Sequence, residues 1–201
     1  MPTAAILVIG NEVLSGRTRD SHVQMLGGRL AAMGIRLAEA RVVEDDADAI
    51  VAAVTDLRRR FDTVFTTGGI GPTHDDITAA AIARAFGVAL VRNPEAVRRL
   101  EHHYGAEGLT DARLKMADIP EGATLIDNPV SQAPGFTIGN VHVLAGIPRI
   151  AEAMFESLRP SLTGGPPVIA RTRTMWVGER MLAAARAEVP AVHPAVQLGS
   201  Y

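Results

Sequence analysis

The hydrophobic and polar positions in the first half of the chain form two alternating kinds of segment. A short, unbroken apolar run predicts a buried strand at residues 4–10, and further strands are predicted at 35–43 and 62–66. Apolar side chains spaced three or four residues apart predict amphipathic helices, at residues 21–33, after Glu44-Asp45-Asp46 and at 78–86. Repeated strand-helix units of this length predict a mostly parallel sheet with right-handed crossovers, and hence an α/β fold.

The pattern is less regular after Val88. It predicts a short strand at 88–91, a helix at 94–104 that begins after Asn93, and a helix at 110–116 that is broken by Pro120. Further strands are predicted at 123–126, 136–138 and 141–145, the last two forming a hairpin about Gly139-Asn140, and a helix follows Pro148.

A stretch rich in proline and glycine at 160–167 predicts a boundary. We therefore expect a ligand-binding domain at 1–160, followed at 161–201 by a linker and part of a small α+β subdomain. Strands at 168–177 and 195–198 and a helix at 179–187 would form that part, which has too few strands to bury its own faces. The subdomain is therefore expected to be incomplete, and the tail to be poorly ordered or paired with another copy, so that a homo-oligomer is predicted.

The segment 66–78, Thr-Thr-Gly-Gly-Ile-Gly-Pro-Thr-His-Asp-Asp-Ile-Thr, joins the third strand to its helix. Ligands of open parallel sheets bind beyond the carboxyl ends of the strands, where glycines allow close approach and exposed amides favour an anion. Asp75 and Asp76 would repel phosphate unless a cation lay between them. The loop thus predicts a phosphorylated ligand with Mg²⁺. The simpler alternative is that Asp76 or Thr78 caps the helix, and Asp76 could do both.

Composition narrows the choice of partner. The formal net charge is −2, with no basic excess, which argues against nucleic acid and membrane surfaces and favours small molecules. Cysteine is absent, which excludes thiolate chemistry. Of the 20 Lys and Arg residues only Lys115 is a lysine, so lysine-dependent kinase or ATPase chemistry is disfavoured and phosphate would be held by arginine, amides or metal. No apolar run approaches the ~20 residues of a membrane span and no signal peptide is evident, so a cytoplasmic location is expected.

Five motifs in order carry a family resemblance: residues 9–16, Asp20, residues 66–78, Asn128 with 133–136, and residues 144–148. Together they resemble the molybdenum-cofactor-biosynthesis (molybdopterin-binding) domain, in the branch of the competence/damage-inducible protein A, CinA. The resemblance covers about residues 3–160. It implies a three-layer α/β/α fold that binds molybdopterin or an adenine nucleotide at the carboxyl edge of the sheet.

The loop differs between branches of that family. The molybdopterin adenylyltransferases carry Arg-Asp-x-Thr, whose Asp is essential; Asp76 and Thr78 match that signature, but Asp75 replaces the arginine. The resemblance to CinA implies a pyrophosphatase acting on ADP-ribose or FAD-type nucleotides with a divalent metal, Mg²⁺, with K⁺ as a second candidate. Asp45 and Asp46 match an acidic pair of the adenylyltransferases, and Ala145 replaces a proline usual in CinA-like proteins. The C-terminal amidohydrolase domain of full CinA proteins is not present in this sequence, so nicotinamide-mononucleotide deamidation is not implied.

The loops and the family resemblance together predict a set of catalytic, metal-binding and ligand-binding residues. Asp75 and Asp76 are the predicted catalytic residues, and with Glu12 they are the predicted metal ligands. The predicted ligand-binding residues lie in the loops after the strands: Gly10, Glu12, Ser15, Asp45, Thr67, Gly68, Gly69, Gly71, Thr73, Thr78, Pro134 and Gly135.

Simpler roles stay open for several of these residues. Glu12 could be a turn residue, Asp20 an N-cap, and Asp45 and Asp46 partners of a helix dipole. His74 is expected to face solvent, and His102-His103 is rejected as a metal pair because adjacent helical residues do not share a face. Three functions are compatible with the sequence: hydrolysis of a phosphoanhydride, adenylyl transfer to molybdopterin, and non-catalytic binding of a pterin or nucleotide.

Overall fold

The computed structural model describes residues 1–105 and 107–167, together with isolated positions beyond 170 (171, 174, 176, 180, 181, 188, 189, 192, 193 and 196). The chain divides into two compact units, Met1–Val168 and Ile169–Tyr201. Residues 161–167 therefore lie with the first unit, where the Gly165 N–H donates to the Met33 carbonyl at 3.0 Å. The strands predicted at 168–177 and 195–198 and the helix predicted at 179–187 lie outside the described residues except at the isolated positions named above.

The first unit contains eight described strands and seven α-helices. The strands are β1 (Thr3–Ile9), β2 (Arg36–Val43), β3 (Thr63–Thr67), β4 (Leu90–Arg92), β5 (Asp118–Pro120), β6 (Thr124–Ile126), β7 (Gly135–Ile138) and β8 (Val141–Leu144). The helices are α1 (Asn11–Leu14), α2 (His22–Ala32), α3 (Ala47–Arg60), α4 (Thr78–Phe86), α5 (Pro94–Tyr104), α6 (Asp111–Leu114) and α7 (Pro148–Leu158), with 3₁₀ turns at Lys115–Ala117 and Arg159–Ser161.

The main sheet has six strands in the order β2-β1-β3-β8-β7-β6. β1 pairs in parallel with β2 and β3, and β3 pairs in parallel with β8. β7 runs antiparallel to both of its neighbours, so the hairpin predicted between β7 and β8 is present. The prediction of a mostly parallel α/β sheet is confirmed.

Helices cover both faces of this sheet and create the three layers. β1 contributes Ala5, Leu7 and Ile9 to the core beneath α3 and α4, and its alternate residues to the core beneath α2 and α7. Both faces of the strand are buried, which explains why the sequence there is continuously apolar rather than alternating. Within the described part of the chain, no helix has the length and hydropathy needed to cross a bilayer.

A second, two-stranded sheet is formed by β4, which follows α4 in the chain, and β5, which follows α6 and its 3₁₀ turn. β4 and β5 pair antiparallel, with Val91 opposite Ile119, and the Arg92 guanidinium bonds the Asp118 carboxylate at 2.8 and 3.1 Å. Pro120 was predicted only to break a helix, and β5 was not predicted, because three residues are too few to show a periodicity. The helix predicted at 110–116 is also wrong in part, since its last turn is 3₁₀.

Candidate functional site

Three loops meet where the carboxyl ends of β1, β3 and β8 lie side by side. Gly68, the first residue after β3, donates its N–H to the Leu144 carbonyl at 3.3 Å. A Cβ atom placed on Gly68 would lie 2.1 Å from the Ile9 carbonyl oxygen, and one placed on Gly146 would lie 3.1 Å from the Gly68 Cα. The glycine at the start of the 66–78 loop is thus enclosed by the ends of the two neighbouring strands.

The far end of the loop is fastened to its beginning by Thr78. The buried Thr78 hydroxyl donates to the Gly68 carbonyl at 2.9 Å, and the Thr78 N–H donates to the Gly69 carbonyl at 3.0 Å. A Cβ on Gly69 would approach the Thr78 Oγ1 to 2.2 Å. Thr78 was predicted to bind ligand, and in this structure its hydroxyl donates its proton within the loop.

Replacement of Thr78 by valine tests this fastening. Thr78→Val removes the donor while keeping the shape of the side chain, and it leaves the Gly68 carbonyl without that bond. We expect the free energy of unfolding to fall by about 1–2 kcal/mol, measured by urea denaturation. Thr78→Ser keeps the hydroxyl and is the control; equal losses in the two variants would contradict a role for the hydrogen bond.

Asp76 is held by the tight turn that precedes α4. Its Oδ2 accepts from the Thr73 N–H at 2.8 Å and from the Thr73 hydroxyl, and a Cβ on Gly71 would lie 2.7 Å from the same oxygen. The N-cap position of α4 is Ile77, which has no side-chain cap bond. The alternative in which Asp76 or Thr78 caps the helix is therefore wrong: Thr78 is the first helical residue, and the Asp76 carboxylate is bonded to Thr73.

Asp75 lies at the exposed tip of the same turn. The Thr73 hydroxyl, then the N–H of Asp75 itself, and the neighbouring His74 and Lys115 charges lower the pKa of the Asp75 carboxyl below its ordinary value. The group is therefore ionised at neutral pH and accessible to a cation. His74 is exposed, as expected.

A small, open cleft lies beside this turn. The cleft is bounded by the loop, by α4, by the small sheet and by the start of β7. Its lining includes four of the predicted site residues, namely Gly69, Gly71, Asp76 and Pro134. Its remaining lining is mostly apolar: Ile70, Ala79, Ala80, Leu90, Met116, Ile119 and Phe136, together with Lys115 and Asp118.

Lys115 belongs to this lining, although it is not among the site residues predicted from the sequence. Its Nζ donates to the Thr73 carbonyl across a separation of 42 residues. No local motif surrounds it, and its one distinguishing signal is that it is the only lysine in the chain. Pro134 lines the cleft as predicted, whereas Gly135 begins β7, and its Cβ would lie 2.3 Å from the Val143 carbonyl oxygen.

A second group of predicted residues lies on the loops after β1 and β2. The Asp45 Oδ2 accepts from the Asn11 N–H at 2.8 Å, which ties these two loops together. A Cβ on Gly10 would lie 2.7 Å from the Glu12 Oε1, so the Glu12 carboxylate folds back over the end of β1. The Ser15 hydroxyl donates to the Glu12 carbonyl at 3.3 Å. None of these residues belongs to the lining of the cleft described above.

Asp46 and Asp20 both bond amides at helix starts, but only Asp46 occupies an N-cap position. The N-cap position of α2 is Ser21, so the prediction of Asp20 as N-cap is wrong by one residue. The Asp46 Oδ1 accepts from the Ala49 N–H at 2.9 Å at the start of α3. The Asp20 carboxylate accepts from the His22 and Val23 amides, each at 3.1 Å, and approaches the His22 Nδ1 at 2.8 Å. Burial by itself would raise the pKa of Asp20, but these hydrogen bonds lower it overall.

The predicted metal ligands are only partly brought together. Asp75 and Asp76 are adjacent in one turn, whereas Glu12 lies in α1, directly after β1. Among residues 1–105 and 107–167 and the isolated positions beyond them, no three His, Cys, Asp or Glu side chains form a metal-binding cluster. Thr67, predicted to bind phosphate, is buried, and its hydroxyl has no hydrogen-bond partner among the described residues.

The structure is thus an α/β fold that presents a glycine-rich loop and an acidic pair at the carboxyl edge of its sheet, the edge where ligands of open parallel sheets bind. The chain belongs to the family described as "probable molybdopterin binding domain", whose model matches residues 5–164. The predicted family resemblance is thereby confirmed.

Individual relatives agree with this assignment. A protein of Pyrobaculum calidifontis is 40% identical over 185 residues, which are 88% of this chain and 71% of that protein. A CinA-like protein of Desulfosudis oleivorans is 38% identical over 196 residues, covering 89% of this chain and 48% of its own length. The chain thus spans less than half the length of that CinA-like relative.

Solved structures give the same fold. The crystal structure of CinA from Thermoplasma acidophilum, a protein of unknown function, matches with a TM-score of 0.75 and 35% identity over 80% of this chain and 97% of that one. The molybdopterin biosynthesis enzyme MoaB of Thermus thermophilus matches with a TM-score of 0.54 and 20% identity over 81% of this chain and 92% of its own. This second likeness concerns the fold alone.

Proposed function

We propose that the cleft beside Asp76 binds a phosphorylated nucleotide or pterin and that the chain hydrolyses a phosphoanhydride of the ADP-ribose or FAD type with a divalent metal. One observation carries the proposal: the Asp76 side chain, oriented by Thr73, lines the same cleft as the backbone of Gly69–Gly71. A carboxylate beside close-approach glycines suits a metal-bound phosphate better than a free anion. The CinA-like relatives support this branch of the family.

The donor atoms of this turn fit Mg²⁺. Mg²⁺ is bound by oxygen, commonly through one or two carboxylates together with substrate phosphates rather than by a cage of protein ligands. Asp75 and Asp76 offer two adjacent carboxylates, and both Thr73 hydrogen bonds reach only Oδ2 of Asp76. Glu12, in α1, stays a predicted further ligand, and K⁺ a second candidate ion.

In this hydrolysis the residues of the chain would have distinct roles. Asp75 and Asp76 would hold the ion, and backbone amides of 69–71 would bind phosphate oxygens. The Gly68 amide, also predicted for this role, already donates to the Leu144 carbonyl at 3.3 Å. The ion, when bound, supplies charge neutralisation and a more acidic water. The oxygen of water bonds to phosphorus while the bridging P–O bond breaks, a proton passes to solvent, and ADP-ribose yields AMP and ribose 5-phosphate.

The test is AMP formation, followed by mass spectrometry, from ADP-ribose and from FAD with and without Mg²⁺ and K⁺. We expect AMP to appear only with the metal, and Asp76→Asn to lower the rate by about 30- to 100-fold because one charged oxygen ligand is lost. Asp48→Asn is the matched control, since Asp48 is an exposed carboxylate paired with Arg84 at 2.7 Å on the surface.

Two results would contradict the proposal. An Asp76→Asn variant with undiminished metal-dependent turnover would remove Asp76 from the site. Binding of a nucleotide or of molybdopterin without formation of AMP would favour the alternatives. An assay with ATP and a pterin acceptor would then distinguish adenylyl transfer from non-catalytic binding.

Self-association of the chain also stays a prediction, to be measured by sedimentation.

A further inference from the structure

Lys115 brings a positive charge to a cleft whose other charged groups are acidic or already paired. Its Nζ donates to the Thr73 carbonyl, while the Thr73 N–H donates to Asp76 at 2.8 Å. One residue of the turn therefore fixes the ammonium and the carboxylate relative to each other. Asp118 is the other acidic residue of the lining. Its carboxylate is paired with the Arg92 guanidinium at 2.8 and 3.1 Å, so the charges of these two residues compensate each other.

The ammonium has bonding capacity left over. A lysine ammonium has three N–H donors and no acceptor, and the Thr73 carbonyl takes one of them. Lys115 is half-buried and contributes to the cleft surface, so the remaining donors are available to a ligand. Phosphate oxygens are the ligand atoms that suit such a cation best.

The charge balance of the proposed reaction also requires another cation. A diphosphate brings two negative charges, and Asp75 and Asp76 add two more, so one divalent ion compensates only half of the total. Breaking the bridging P–O bond places further negative charge on the departing phosphate. A hydrogen-bonded ammonium stabilises that charge more than the charge of the bound ligand.

We propose that the Lys115 ammonium binds the diphosphate of the ligand and stabilises the departing phosphate while Thr73 keeps it beside Asp76. The inference rests on the proposed function and extends it to a residue far away in the sequence. Lys115 would be a catalytic residue of the hydrolase, and a ligand-binding residue even if the bound nucleotide were not turned over.

Because the chain has one lysine, the rate at which an amine-selective reagent modifies Lys115 reports directly on this site. Acetylation with an N-hydroxysuccinimide ester modifies only the N-terminal amine and Lys115, and peptide mass spectrometry separates the two. With Mg²⁺ and α,β-methylene-ADP, a nucleotide diphosphate that resists hydrolysis, at ten times its Kd, we expect Lys115 to react about tenfold more slowly. The N-terminal amine is the internal control and should react at its original rate. Unchanged acetylation of Lys115 at saturating ligand would overturn the inference.

Substitution separates charge from structure. Lys115→Gln keeps an N–H donor for the Thr73 carbonyl but removes the charge, and we expect α,β-methylene-ADP to bind about 10- to 100-fold more weakly. Lys115→Arg should retain most of the affinity. Arg98→Gln is the control, because Arg98 is an exposed cation paired with Glu95 on α5. Wild-type affinity in Lys115→Gln would show that Lys115 only supports the Thr73 turn.

The outcomes distinguish this inference from the proposed hydrolysis. Protection of Lys115 with no AMP from ADP-ribose would support the inference and contradict the hydrolysis. Metal-dependent formation of AMP with an unprotected Lys115 would support the hydrolysis and contradict the inference. An unprotected Lys115 together with no AMP from ADP-ribose or FAD would overturn both.

Discussion

Gly68→Ala should lower the free energy of unfolding by about 2–5 kcal/mol, the sum of a left-handed backbone penalty and an overpacked contact. Gly68 has φ +102°, which an L side chain rarely adopts, and its Cβ would lie 2.1 Å from the Ile9 carbonyl oxygen. That oxygen belongs to β1, which is paired on both sides and cannot move without disturbing the sheet. Urea denaturation measures the loss.

Gly122→Ala is the matched control for this substitution. Gly122 also has a positive φ, +81°, but nothing lies within 4 Å of a Cβ placed there. We expect a loss of only about 1–2 kcal/mol, from backbone strain alone. Equal losses at the two positions would mean that the contact between Gly68 and β1 does not hold the loop. Gly68→Ala is also expected to weaken ligand binding, because the loop can relieve the contact only by moving away from the sheet edge.

His142 should make the protein lose stability in mild acid. The side chain is buried in β8, with its ring 5.2 Å from that of Phe65 and its Nδ1 2.9 Å from the Thr137 hydroxyl. Burial lowers the pKa of His142 from 6.5 to about 4. Between these values the unfolded chain binds a proton that the folded chain does not. The free energy of unfolding therefore falls as the pH drops through 6.5, and this loss is complete below about 4.

The expected size of this effect is about 3 kcal/mol, at 1.36 kcal/mol per pKa unit. His142→Gln, which is neutral at every pH and can still bond Thr137, should lose less stability between pH 7 and pH 4.5 in urea denaturation. Carboxylates with lowered pKa values, such as Asp20, act at lower pH and are common to both proteins. A pH dependence identical in His142→Gln and wild type would contradict the assignment.

Local patterns in the sequence determined most of the elements. The helix predicted at 78–86 is α4, and the strand predicted at 4–10 is shifted by one residue from β1. The loop at 66–78 was located because a buried strand, three glycines and a helix follow one another directly. Such features depend on neighbours a few residues apart, whose spacing and backbone preferences are written in the chain itself. The family was recognised for the same reason, through short motifs in a fixed order.

The tertiary structure alone decided which side chains share the cleft. Lys115 reaches Thr73 across 42 residues, and Arg92 reaches Asp118 across 26, contacts for which no local pattern exists. The tertiary structure also places Glu12 in α1, outside the acidic turn, and bonds the Thr78 hydroxyl to the Gly68 carbonyl within the loop. The sequence therefore determined the sheet, its loops and the edge at which a ligand would bind. The composition of the site itself depended on how β4, β5 and the turn at 115–117 pack against that edge, because long-range packing selects partners that spacing along the chain cannot.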